Sequence, residues 1–311
     1  MVKKSGLFVI SIIIVLLLIG IGLIYGLPLN TQAENSKISP NDTLEVIFFD
    51  VGQGDCILLK TGNHSMLIDA GNIGQDQLVL NYLAKNNVTN LDYLVVTHPH
   101  SDHIGSMSSV INKMDNVGMV IMPDKIHTSK TFENLIDAIE YNNIPVTMPK
   151  PGDNFTLGNA DIQVLAPISA TSNDLNDHSI VLRVDFGNTS FLFTGDAETK
   201  SENKQLITGL NLEADVLKVG HHGSKTSSSQ KYLDAVSPSY AVISSGLNIY
   251  GHPDNDIISQ LNAMGVVIYR TDLNGTIIFK SDGKQIFVST ANNYESVHAT
   301  ITESVHVMSN N

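Results

Sequence analysis

From Leu7 to Leu29 the chain carries no charge, and only Ser11, Tyr25, Pro28 and a few glycines interrupt the apolar run that follows Lys3 and Lys4. Such a run exceeds the roughly 7–15 apolar residues of a cleaved signal and approaches the roughly 20 that cross a bilayer as a helix. It predicts an N-terminal hydrophobic helix within residues 1–30 that anchors the chain in a membrane; cleavage after Ala33 is the competing reading. The flanking lysines lie at the extreme N-terminus, so both readings place the rest of the chain outside the cytoplasm. Residues 31–43 are polar, include a proline and read as a spacer.

From Leu44 the pattern changes to short β-type runs interleaved with amphipathic ones. Leu44–Asp50, Cys56–Lys60 and Ser65–Asp69 predict a strand meander joined by VGQGD and TGNH. Leu78, Leu80 and Leu83 keep a roughly helical rhythm and predict a helix over Asp76–Asn87, followed by a buried strand at Leu91–Thr97. Next come a short helix near Ile104–Ile111, a strand at Val117–Met122, a helix at Thr131–Tyr141, and strands around Val146, Asp161–Leu165, Ile180–Phe186 and Ser190–Thr194. A third round predicts helices at Lys200–Leu210, Ser227–Val236 and Asp256–Met264, with strands at Ala214–Val219, Tyr240–Ser245, Val266–Tyr269, Thr276–Lys280 and Gln285–Ser289. Strand blocks alternating with helices imply an α/β fold in which sheets pack together and helices cover the outside. No linker interrupts residues 44–290, which are expected to form one domain, and residues 291–311 read as a polar tail with the echo ESVHATIT and ESVHVMSN.

Composition narrows the function. With 42 % hydrophobic residues the chain is neither disordered nor a disulfide scaffold. Its 18 basic and 31 acidic residues give a net charge of −13, which argues against a broad basic face for nucleic acid or anionic lipid. Any affinity for phosphate must be local. The lone Cys56 excludes an intrachain disulfide and a zinc site built on cysteines, which leaves 11 histidines as candidate ligands.

Ligand-type residues gather at predicted strand ends. In Thr97-His98-Pro99-His100-Ser101-Asp102-His103 the proline keeps the segment extended, so His98 and His100 project to one side and can share a metal. Asp102 and His103 fall at the turn into a helix and can serve a second metal about 3.5–4 Å away. Asp196, in Thr194-Gly195-Asp196-Ala197-Glu198 after a buried strand, is placed to bridge both ions, and one of the pair His221 and His222 completes the second site. Ser224, Lys225, Thr226 and Ser227 lead into a helix whose free N–H groups would receive a phosphate, although ordinary capping explains the hydroxyls as well. His252 follows another strand; contact with a phosphate oxygen, protonation of the leaving group and replacement of one of the paired histidines as ligand all stay open.

The H-x-H-x-D-H cluster after an apolar strand resembles the metal-binding signature of the metallo-β-lactamase-fold hydrolases. That resemblance implies a four-layer αββα sandwich, two divalent ions (Zn²⁺ or Mn²⁺), and a role for Asp69, at the end of the strand Ser65–Asp69, in orienting loops and a ligand. Many members supply a third histidine to the first metal; here that stretch is Asn176-Asp177-His178-Ser179, where His178 is either the substitute or a surface residue. Asp50-Val51-Gly52-Gln53-Gly54-Asp55, Asn176-x-x-Ser179-Ile180-Val181-Leu182, His221-His222-Gly223-Ser224, Tyr250-Gly251-His252-Pro253 and Tyr269-Arg270-Thr271-Asp272-x-x-Gly275 extend the resemblance over residues 44–282, to the hydrolase domain of ComEC-type competence proteins. It implies a hydrolase that cleaves phosphodiesters, in DNA or short oligonucleotides, with water activated by metal and Asp102 and His252 as catalytic candidates. The rival readings are a phosphorylcholine esterase or lactonase on the same dinuclear site, and a catalytically silent module that binds DNA or cell-wall polymer.

Overall fold

The computed structural model describes residues 42–168 and 173–291. The expected N-terminal helix, most of the spacer and the tail beyond residue 291 lie outside the described residues. Among the described residues no helix is long and apolar enough to cross a membrane.

The first three strands, β1 (Leu44–Phe48), β2 (Ile57–Thr61) and β3 (His64–Ile68), form the expected antiparallel meander. Helix α1 (Asp76–Lys85) then crosses to β4 (Asn90–Val95), which runs parallel to β3. Two short helices, α2 (Ser101–Ile104) and α3 (Met107–Lys113), precede β5 (Asn116–Ile121), and α4 (Lys130–Tyr141) precedes β6 (Val146–Thr147). A second sheet begins with the antiparallel strands β7 (Asn154–Leu157), β8 (Ala160–Ala166), β9 (Val181–Phe186) and β10 (Thr189–Phe193). It continues in parallel through α5 (Thr199–Gln205), β11 (Val216–Lys218), α6 (Gln230–Val236), β12 (Tyr240–Ile243), α7 (Asn255–Ala263) and β13 (Val267–Arg270). After α8 (Thr271–Asn274), the strands β14 (Ile277–Ser281) and β15 (Ile286–Thr290) return to the first sheet, where β14 pairs with β1. The sheets therefore hold eight strands in the order β15-β14-β1-β2-β3-β4-β5-β6 and seven in the order β13-β12-β11-β10-β9-β8-β7.

Strand alternation builds the layers. Leu44, Val46 and Phe48 of β1 point into a central cluster with Ile162, Val184, Phe191 and Phe193 of the second sheet. Ile47 and Phe49, one residue out of phase, point the other way, onto Val79 and Leu83 of α1, Val110 of α3 and Leu135 of α4. On the far side, Leu192 and Leu217 meet Tyr232 and Leu233 of α6 and Leu261 of α7. The result is helices, sheet, sheet, helices. In the centre Phe48 meets Phe279 edge-on at 5.9 Å and Phe193 at 6.1 Å, a contact that links the two sheets.

Some elements differ from the sequence expectation. The helix expected over Ile104–Ile111 is two helices broken at Gly105–Ser106, because the chain there lies against the Gly71–Asn72 turn; a Cβ on Gly105 would sit 2.1 Å from the Asn72 carbonyl carbon. β7 was not anticipated, and α6 starts at Gln230 rather than Ser227. The ends of β3, β4, β10, β11 and β12 converge on one edge, where both sheets contribute loops. There Ile180 N–H donates to the Thr97 carbonyl at 2.9 Å, and Gly195, at φ 50°, lets its backbone approach Thr97 closely.

Candidate metal centre

His98 and His100 leave β4 in the extended segment that the proline demands, with His98 Nε2 2.9 Å from His100 Nδ1. His98 is buried and His100 partly so; burial and the neighbouring His103 push both imidazoles below their ordinary range, well below for His98. Both are therefore neutral at neutral pH, as ligands must be.

Asp102 and His103 lie on α2. His103 Nδ1 is 2.7 Å from Asp69 Oδ2, and the Asp69 carboxylate also accepts from Thr97 N–H at 2.9 Å and the Thr97 hydroxyl at 2.6 Å. That fixes the His103 ring with Nε2 aimed at Asp196 Oδ2, 3.2 Å away. Burial lifts the Asp69 carboxyl despite these bonds. Asp196, at the end of β10, is the centre of the cluster: its Oδ2 has His98 Nε2 at 3.8 Å, His221 Nε2 at 3.8 Å and His222 Nε2 at 3.6 Å. Burial alone would raise its carboxyl, but His103 and His222 outweigh that and hold it well below the carboxylate range. Asp102 is likewise held low against its burial by His103 and His222, and His103 is raised against its burial by Asp196 and Asp69.

The paired histidines occupy consecutive left-handed positions, φ 49° for His221 and φ 54° for His222, between Gly220 and Gly223. Non-glycine residues rarely adopt that conformation, and two in a row mark stored strain that the surroundings must hold. The strain turns the two rings to different partners. His222 is buried, with Nδ1 2.9 Å from the Ser244 carbonyl at the end of β12 and Nε2 3.3 Å from Asp102 Oδ2. His221 is half-buried at the mouth, with Nδ1 3.1 Å from Glu198 Oε1; burial lowers its imidazole, but Glu198 and Asp196 together outweigh that and raise it. Of the two, His222 is the one that joins Asp102, His103 and Asp196, and these four offer ligand atoms within 4.8 Å of one another.

The residues present fit divalent cations. His103 Nε2, His222 Nε2 and Asp196 Oδ1 are buried without hydrogen-bond partners, which is costly unless something positive fills the space between them. Their opposite ring edges are occupied by a carboxylate and a carbonyl, the arrangement that would leave Nε2 to ligate once a cation takes the place of its proton. His98 lies beside these donors, with its Nε2 3.8 Å from Asp196 Oδ2 and 2.9 Å from His100 Nδ1.

Other expectations need correction. Ser179 of the Asn176 turn reaches the cluster: its Oγ is 3.4 Å from His98 Nδ1 and accepts from Asp196 N–H at 3.1 Å; His178 is buried rather than a surface residue. The expected phosphate cradle is not free to receive one. Glu202 of α5 accepts from the N–H groups of Ser228 and Ser229, at 3.0 Å for Ser229, and Ser227 donates its hydroxyl to Gly220 and Ser224 carbonyls. Ser224 is buried and bonds to Thr226, while Thr226 and Lys225 stay exposed, Thr226 donating to Glu198 at 2.9 Å. His252 stands 5.3 Å from the His221 ring with Nδ1 buried and unpartnered, and burial lowers its imidazole. Its loop is pinned by Asn248, which accepts from Tyr250 and His252 N–H groups and displays Leu247, Ile249 and Tyr250 to solvent.

Sequence reasoning passed over Asp55, Lys218, Glu198 and Ser179 as site residues. A lysine inside the apolar β11 was the legible sign of a buried charge. His127, on the loop after β5, carries no sequence signal of its own; its Nδ1 is buried without a partner.

Comparison with known proteins agrees with this geometry. The Metallo-beta-lactamase superfamily matches residues 49–246. Among curated relatives, competence protein ComA of Neisseria gonorrhoeae is 35 % identical over 77 % of this chain and 33 % of its own length. ComE operon protein 3 of Bacillus subtilis is 29 % identical over 76 % of this chain and 33 % of its own. The chain thus spans about a third of the length of these relatives. The fold also resembles the metallo-beta-lactamase fold protein YhfI from Bacillus subtilis, with TM-score 0.53 at 14 % identity, covering 76 % of this chain and 100 % of that one. The chain belongs to the metallo-beta-lactamase superfamily.

Proposed function

We propose that this metal-dependent hydrolase cleaves phosphodiesters, as a nuclease or phosphodiesterase, outside the cytoplasmic membrane to which its N-terminal apolar segment anchors it. The observation that carries the proposal is the single Asp196 oxygen surrounded at 3.2–3.8 Å by nitrogens of His98, His103, His221 and His222. His98, His100 and Asp196 would hold one divalent cation, and Asp102, His103, His222 and Asp196 the other, with Zn²⁺ and Mn²⁺ both suited to such nitrogen and oxygen donors. A pair of cations there supplies Lewis acidity, which lowers the pKa of water and offsets the charge of a phosphodiester. The chain's own residues do the rest. Asp69 and the Ser244 carbonyl hold the two buried rings in their ligating tautomer. His221, kept protonated by Glu198 and half-exposed at the mouth, is the proton donor best placed for a departing alkoxide; the neutral His252 packs against it. DNA as a substrate is favoured by the ComEC-like motifs and by the name of one relative, competence protein ComA, while the charge of −13 favours short oligonucleotides over long duplexes.

The test is hydrolysis of bis(p-nitrophenyl) phosphate, short DNA and short RNA by purified full-length protein with Mn²⁺ or Zn²⁺. Cleavage abolished by Asp196→Asn is expected. Protein that verifiably holds both ions yet cleaves none of the three would end the proposal.

A further inference from the structure

Behind the candidate centre lies a buried ion pair that the reaction proposed above does not use. Lys218 Nζ is 2.9 Å from Asp55 Oδ2 and donates to the Val219 carbonyl at 2.9 Å; the two residues are 0 % and 1 % exposed. Asp55 faces two imidazoles at once. Its Oδ2 is 4.0 Å from His103 Nδ1, and its Oδ1, which has no hydrogen-bond partner, is 3.7 Å from His222 Nδ1. Its main chain adds two ties, from N–H to the Asp102 carbonyl at 3.2 Å and from Gly71 N–H to its own carbonyl at 2.8 Å. One residue thus reaches the segments that carry Asp69, Asp102, His103 and His222.

A carboxylate so deeply buried needs a partner of opposite charge, and Lys218 provides it at 2.9 Å. The pair adds no net charge to the centre but presents its negative end to the Nδ1 edges that Asp69 and the Ser244 carbonyl hold, and so reinforces the turn of both Nε2 edges toward Asp102 and Asp196. We infer that Asp55 and Lys218 are positioning residues for the second cation, holding His103 and His222 with their ligating nitrogens outward. A plain structural strut between β11 and the glycine-rich turn after β1 would hold the fold without setting metal affinity.

The inference rests on the two-cation reading, and one set of titrations separates the two. Full-length wild-type protein, Asp55→Asn and the double variant Asp55→Asn/Lys218→Met are titrated with zinc against a chromophoric chelator, and each is melted in excess chelator. Wild type is expected to take two equivalents. Asp55→Asn strands the lysine charge, so it melts lower and binds the second equivalent about 10–100-fold more weakly. The double variant removes the stranded charge: its melting returns toward wild type while the second affinity stays down. Should Asp55→Asn fail to fold, the neutral double variant carries the test alone. Recovery of affinity together with stability in the double variant, or a second affinity in Asp55→Asn within twofold of wild type, overturns the inference. Wild-type protein that takes up fewer than two equivalents overturns the two-cation reading and this one with it.

Discussion

Asp69 sits at φ 57° and accepts hydrogen bonds from the Thr97 N–H, the Thr97 hydroxyl and the His103 ring, all buried. Aspartate tolerates that backbone better than most residues because its short polar side chain bonds locally. Asp69→Ala strands three donors, each at about 1–3 kcal/mol, and adds backbone strain. A loss of about 3–5 kcal/mol is expected, read as a lower urea midpoint. Asp69→Asn keeps an acceptor for Thr97 but turns its amide toward the His103 N–H; it should lose less stability and about 10–100-fold in metal affinity. A silent alanine variant would contradict the assignment. Legibility at this scale was uneven. The cluster from His98 to His103 was readable because proline forces extension, but His221 and His222 are adjacent in sequence. Their separation depends on left-handed backbone and on the distant Ser244 carbonyl. Local spacing carries neither.

Elements explain why those residues meet. The strands of the meander and the central parallel strands were legible, since alternation and wholly apolar runs survive in the sequence; β7, Asn-Phe-Thr-Leu, is too short and polar to stand out. The break between α2 and α3 was not legible either, because it comes from contact with the Gly71–Asn72 turn rather than from helix propensity. Gly105 N–H donates to the Gly71 carbonyl at 2.9 Å, and no side chain fits. Gly105→Ala must therefore push α2 away from that turn, and α2 carries Asp102 and His103. The variant should destabilise the protein by at least about 1–3 kcal/mol, as overpacking does, and weaken zinc uptake in the same preparation. Normal zinc affinity in a destabilised variant would show that α2 does not transmit its position to the centre.

At the scale of the molecule, the charge of −13 sets how substrates arrive. A protein that neutralised many DNA phosphates with lysines and arginines would lose affinity steeply with salt. This chain repels a polyanion, and screening weakens repulsion. Initial rates on long duplex DNA should stay flat or rise between about 50 and 200 mM salt, while rates on a dinucleotide change little. A steep fall on duplex DNA would reveal a basic track that the overall charge conceals.

The centre sits on the seam between two sheets. One contributes Asp69, His98, His100, Asp102 and His103, and the other Asp196 and His222. Neither half holds a full set of donors, so an ion captured there acts as a clasp. In a newly made chain the clasp can shut only after both halves have docked, which makes metal uptake a late event and a chemical report that assembly is finished.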